Sequence, residues 1–173
     1  LHNKISKIRS WQRGNNAAKR YERANPGVRK STSKEDMFMH IDYWHEDRGV
    51  DVKGNNLPDE IWIEFKNVRG NHGWLFGEAT TIAFDMPELT GFVVVDRLEL
   101  ADYCKQNVDF SCKVPRSQAY KKVYQRDGRK DMITKLCLRD LQTLDSYRVI
   151  EYCQTYLHPG EHYTCRTRSD DVS

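Results

Sequence analysis

Two stretches decide the reading of this chain: Gly49-Val50-Asp51-Val52-Lys53-Gly54, and Ile61-Trp62-Ile63-Glu64-Phe65-Lys66-Asn67-Val68 after the turn cluster Asn55-Asn56-Leu57-Pro58-Asp59. In the second, apolar residues alternate with polar or aromatic ones. A period of two predicts a strand with Ile61, Ile63 and Phe65 on the buried face and Trp62, Glu64 and Lys66 on the other. Upstream, Met37 to Trp44 has the same period, and the polar loop His45-Glu46-Asp47-Arg48 joins it to Gly49–Gly54 as a hairpin. If Trp44 pairs with Gly49, then Asp42 faces Asp51, because cross-strand partners point to the same side. Asp42 is then either an extra metal ligand or only the hairpin partner of another residue.

Working outward, residues 4–24 read as a basic helix, interrupted or continuous at Gly14-Asn15-Asn16 and stopped by Asn25-Pro26-Gly27. The Gly-rich passage from Arg69 to Gly77 leads through a short helix at Glu78 to Thr80 into the strand Thr81 to Asp85. Gly91-Phe92-Val93-Val94-Val95 predicts a strand covered on both faces, and Asp96 a cap for a helix to about Asn107. Asp131 to Cys137 reads as another strand, Leu138 to Cys153 as one or two helices, and the tail after Pro159 as loose. The expected class is α/β with a central mixed sheet, one domain over residues 1–173.

The composition is that of a soluble chain on the polar side, 38% hydrophobic and 31% charged, with no apolar run long enough for a membrane span and no secretory leader at its start. The five cysteines form no CxxC pair, which argues against a disulfide framework and a structural zinc site and for a reducing, cytoplasmic setting. His40, His45 and His72 have no metal-ligand spacing. The net charge is only +3, but residues 1–34 hold ten Lys or Arg against one acid, Glu22. A second basic block spans residues 105–130, with Tyr120 and Tyr124 among its charges. Lys7, Arg9, Arg13, Lys19, Arg20, Arg23, Lys121, Lys122 and Arg126 are therefore candidates for contact with a nucleic-acid backbone.

Carboxylates between two basic stretches suit phosphodiester hydrolysis. A divalent cation held by carboxylates makes water nucleophilic and offsets charge on phosphate. Asp51 and Glu64 are candidate metal ligands with the main-chain carbonyl of Phe65, and Lys66 is a candidate for orienting water or stabilising charge.

An Asp on one strand, a turn, then Glu-x-Lys on the next (Asp51, then Glu64-Phe65-Lys66) resembles the PD-(D/E)XK nuclease superfamily. The order of helix, three antiparallel strands, helical region and strand over residues 4–97 is similar to its restriction-endonuclease-like αβββαβ core, the rest being a C-terminal elaboration. Glu64 through Gly70, with Trp74 and Gly77, looks like small phage proteins of this group. The resemblance implies an endonuclease acting on DNA with Mg²⁺ or Mn²⁺, catalytic Asp51, Glu64 and Lys66, an assisting acid on the first helix (Glu22), and in many members a homodimer. Two other readings fit the same residues: a nucleic-acid-binding module with the fold but not the catalysis, and a protein whose basic stretches meet an acidic partner.

Overall fold

The computed structural model describes residues 2–55 and 57–152, with side chains from Trp11 onward. In chain order it contains helix α1 (His2–Ala24), strand β1 (Arg29–Lys30), a π-helical turn (Glu35–Met39), β2 (Tyr43–His45), β3 (Arg48–Gly54), β4 (Glu60–Lys66) and a 3-10 turn (Trp74–Phe76). There follow β5 (Thr81–Met86), β6 (Gly91–Asp96), α2 (Arg97–Asn107), β7 (Asp109–Lys113), β8 (Lys122–Val123), β9 (Met132–Cys137), α3 (Leu138–Leu141) and β10 (Arg148–Glu151). Six strands form a mixed sheet in the order β1-β2-β3-β5-β6-β10. Only β3 and β5 pair in parallel within it. The expected α/β class with a central mixed sheet holds.

Alternation along the strands sorts the core into two layers. Val50 and Val52 of β3, Ala83 of β5, and Phe92 and Val94 of β6 pack with Ala17, Tyr21 and Ala24 of α1. Ile82 and Phe84 of β5 and Val93 and Val95 of β6 pack on the other face with Ile61, Ile63 and Phe65 of β4 and Leu100 and Cys104 of α2. Strand β6 is thus covered on both faces, as its unbroken apolar run predicts. Asp51 and Lys53 alternate with Val50 and Val52, so they project toward β4. The hairpin has the expected register, Trp44 opposite Gly49. Just past the ladder the amide of Asp42 donates to the Val50 carbonyl at 2.9 Å, and the Asp42 carboxyl lies near that of Asp51.

Helix α1 runs unbroken through Gly14, the continuous one of the two readings the sequence left open. Several expectations are corrected. Residues 37–39 belong to the π-helical turn, not a strand: the Glu35 carboxylate accepts from the Thr32 amide at 2.6 Å and pairs with Arg29, closing a turn that leaves Met37 and Phe38 exposed. Strand β4 does not extend the hairpin, because β5 takes that side of β3 and β4 pairs antiparallel with β9. The helical turn after β4 falls at Trp74–Phe76, before Glu78. Asp96 does cap α2, accepting from the amides of Leu98 and Glu99. Helix α3 ends at Leu141, and the chain turns back as β10 on β6, with Glu99 accepting from the amides of Asp145 and Ser146 in the turn. The tail after Pro159 lies outside the described residues. No described helix is long and apolar enough to cross a membrane.

Candidate functional site

The hairpin and β4 meet around Lys53. Its Nζ lies 2.7 Å from Asp51 Oδ1 and 5.3 Å from the centroid of the Trp74 ring. Burial works against the ammonium, but the charges of Asp51, Asp42 and Glu64 outweigh it and leave the Lys53 pKa raised. Asp51 is buried. Its Oδ2 meets no donor among the described residues, and the Asp42 carboxyl, whose pKa its charge raises, is its neighbour. The Val52 amide donates to Asp42 Oδ2 at 2.7 Å. Burial, together with the Asp51 charge, still pushes Asp42 up to about 6. Glu64, reached from the other strand pair, is also raised by burial, against the pull of Lys53 and the Trp74 amide.

Lys53, Glu64 and Trp74 line a cleft of about 340 Å³ together with Arg13, Trp62, Arg116, Tyr124 and Arg126. Glu64 lines this cleft with Lys53, the partner of Asp51, and Asp42 accepts across the hairpin from the Val52 amide. Lys66 is not brought in. Lys66 ends β4, where the β4–β9 register shifts, and is exposed outside the cleft. The Phe65 carbonyl accepts from the Gly73 amide at 2.9 Å. Glu22 lies on the α1 side of the sheet, where the Tyr43 hydroxyl donates to it at 3.5 Å, away from Asp51.

The basic candidates divide as well. Arg13 and Arg126 line the cleft, although Arg126 also pairs with buried Asp131. Arg20 is spent inside the protein on Asp85, which Tyr152 also contacts, and Lys121 on Asp140 at 2.7 Å. Lys19, Arg23 and Lys122 are exposed. Lys7 and Arg9 lie on α1 where side chains are not described. Tyr120 and Tyr124 sit on bridges to β9 rather than on a helix. Lys53 is the residue the sequence reading passed over. Its signal was present, an Asp-x-Lys within β3 itself.

Magnesium binds through one or two carboxylates and completes its shell with water and substrate oxygens. No group of three or more His, Cys, Asp or Glu among the described residues is arranged to hold a metal alone. The adjacent carboxylates of Asp42 and Asp51 nevertheless fit such an ion, because they supply hard oxygens and one buried oxygen has no donor.

In EDTA the protein is expected to lose stability as pH rises from 5 to 8. Asp42, Asp51 and Glu64 all have raised values, so the native state binds these protons more tightly than the unfolded chain. That contribution is whole below the ordinary carboxylate range and is lost as pH rises, through about 6 for Asp42. His40, pushed down by burial, works the other way over the same window. The net loss is on the order of 2 kcal/mol, readable by urea unfolding at pH 5 and 8. Equal stability at both would show that the cluster is not strained.

In comparisons with known proteins, the chain matches no family model, no curated protein and no solved structure.

Proposed function

We propose that this chain is a divalent-cation-dependent endonuclease acting on DNA, with Asp42, Asp51 and Lys53 at the reacting centre and Glu64 beside them. One observation carries the reading: a buried Asp51 carboxylate, one of whose oxygens has no donor among the described residues, pairs with the ammonium of Lys53, which lines a cleft with arginines in its walls. The PD-(D/E)XK signature takes either acid before x-Lys. Asp42 followed by Asp51-Val52-Lys53 therefore fits it one strand earlier than Asp51 with Glu64-Phe65-Lys66 does. The order of elements supports this placement. Helix α1 is followed by three antiparallel strands, β1, β2 and β3, and then by β5 in parallel beside β3. The β4–β9 pair and the 3-10 turn stand where that family places a helix.

Asp42 and Asp51 would hold the cation, magnesium or manganese. When bound, it supplies a more acidic water and offsets charge on the phosphate. Lys53 keeps two of its three N–H donors beyond Asp51 for a phosphate oxygen or the attacking water. Glu64 holds that ammonium charged. Arg13, Arg116 and Arg126 attract the phosphate backbone, so binding weakens as salt rises.

Incubated with single-stranded DNA and, in parallel, with supercoiled duplex in Mg²⁺ or Mn²⁺, the wild-type protein is expected to cut at least one of the two. EDTA and Asp51→Asn are each expected to stop it, while Lys66→Ala stays within about threefold of wild type, since an exposed side chain outside the site contributes little. Loss of cleavage in Lys66→Ala but not Asp51→Asn would reject this residue assignment. No cleavage by the wild type, with salt-sensitive binding intact, would leave a non-catalytic binding module.

A further inference from the structure

The cleft holds more than phosphate-binding charge. Trp62 precedes Glu64 by two residues on β4, so both point out of the same face about 7 Å apart along the strand. The Trp62 ring is half-buried beside Tyr124, their centroids 6.0 Å apart. The Arg116 guanidinium lies 5.7 Å from the indole centroid. Neither Arg116 nor Arg13 forms an ion pair with a described residue, whereas Lys135, 5.3 Å from the same indole, is paired with Glu60 at 2.8 Å. Two uncommitted cations and an indole thus share a concave site with Lys53. Among the described residues, Glu64 is the one acid in its walls.

An indole offers its face to any base, and the arginine over this ring, once a base displaces it, offers two donors to a neighbouring phosphate. Within a duplex both faces of each base are covered by neighbours, so a base reaches an indole in a cleft only when it is unpaired and unstacked. We infer that the cleft binds single-stranded DNA, an unpaired base stacking on Trp62 and the neighbouring phosphates meeting Arg116 and Arg13. The substrate is then a single strand or an unpaired end rather than intact duplex. This deepens the nuclease reading and rests on it for what happens to the strand, but the binding itself does not require cleavage.

The test is fluorescence polarisation in EDTA, with a labelled 15-nucleotide strand of mixed sequence and with its duplex, for wild type, Trp62→Leu, Trp62→Phe and Arg116→Ala, each checked for folding by thermal melting. The single strand is expected to bind at least about tenfold more tightly than the duplex. Trp62→Leu, which keeps apolar bulk but loses the aromatic face, should weaken it on the order of tenfold, while Trp62→Phe stays within about threefold. Arg116→Ala should weaken binding and flatten its salt dependence. Equal affinity for duplex, an unaffected Trp62→Leu, or equal losses in Trp62→Leu and Trp62→Phe would each overturn the inference. The two proposals fail separately. A protein that binds single strands through Trp62 yet never cuts loses only the nuclease reading, and one that cuts duplex equally well as Trp62→Leu loses only this one.

Discussion

Replacing Lys53 with methionine is expected to abolish cleavage and to lower stability by about 3 kcal/mol at pH 8 in EDTA, the range for removing one partner of a buried charge pair. The Lys53 side chain is 28% exposed and that of Asp51 3%, so water does little to replace the lost ammonium. Asp42, Asp51 and Glu64 would then face one another without a counter-charge. They can relieve this only by taking up protons, so the destabilisation should shrink toward pH 5. Asp51→Asn separates the two effects. It removes the orphaned charge and lessens the repulsion that raises Asp42, while Lys53 keeps Asp42 and Glu64. Its stability should stay within about 1 kcal/mol of wild type or exceed it, with cleavage at least about a hundredfold slower. Urea unfolding of both variants at pH 5 and pH 8, beside a cleavage assay, reads all of this. A Lys53→Met protein as stable as wild type at pH 8 would mean that the ammonium is not the counter-charge of the cluster.

Gly73→Ala is the second large effect expected. A Cβ on Gly73 would sit against the Glu64 carbonyl oxygen, 2.7 Å from its carbonyl carbon and 2.8 Å from its Cγ. Two of these atoms are main chain, so no rotamer change makes room. Gly73 extends with φ −78° and ψ 174°, ordinary for any residue, so the cost is space alone. The passage after β4 folds back here, with the Gly73 amide on the Phe65 carbonyl and the Trp74 amide on the Glu64 carboxylate. Forcing the strands apart should cost about 2–3 kcal/mol and draw Glu64 away from Lys53, slowing cleavage as well. Gly14→Ala is the control. Nothing lies within 4 Å of its added Cβ, it sits inside α1, and the change should stabilise by up to about 1 kcal/mol. Thermal melts of the two variants that shift alike would show that the close approach at Gly73 is not tight.

Several features follow from residues near one another in the chain. Asn25-Pro26-Gly27 stops α1, Gly27 taking φ 95°, and Asp96 caps α2 through the amides two and three residues on. Alternation in Ile61–Phe65 fixes which side chains are buried, and the short loop after His45 fixes the hairpin register that sets Asp42 by Asp51. Each depends on backbone sterics or on a period of two, and needs no knowledge of the rest of the fold.

The tertiary structure alone decided the rest. Lys53 and Lys66 each follow an acid by two residues on a strand, and local pattern does not rank them. What separates them is that β5 occupies the side of β3 that β4 was expected to take. Strand β4 is left to pair with β9, and Lys66 at its end is exposed outside the cleft. Arg20 and Lys121 look no different in sequence from Arg13 until the fold brings Asp85 and Asp140 against them. Strand neighbours and charge partners of this kind lie far apart in the chain. Their meeting is set by which apolar faces must be buried together, while the chain near each residue determines only which way its side chain points.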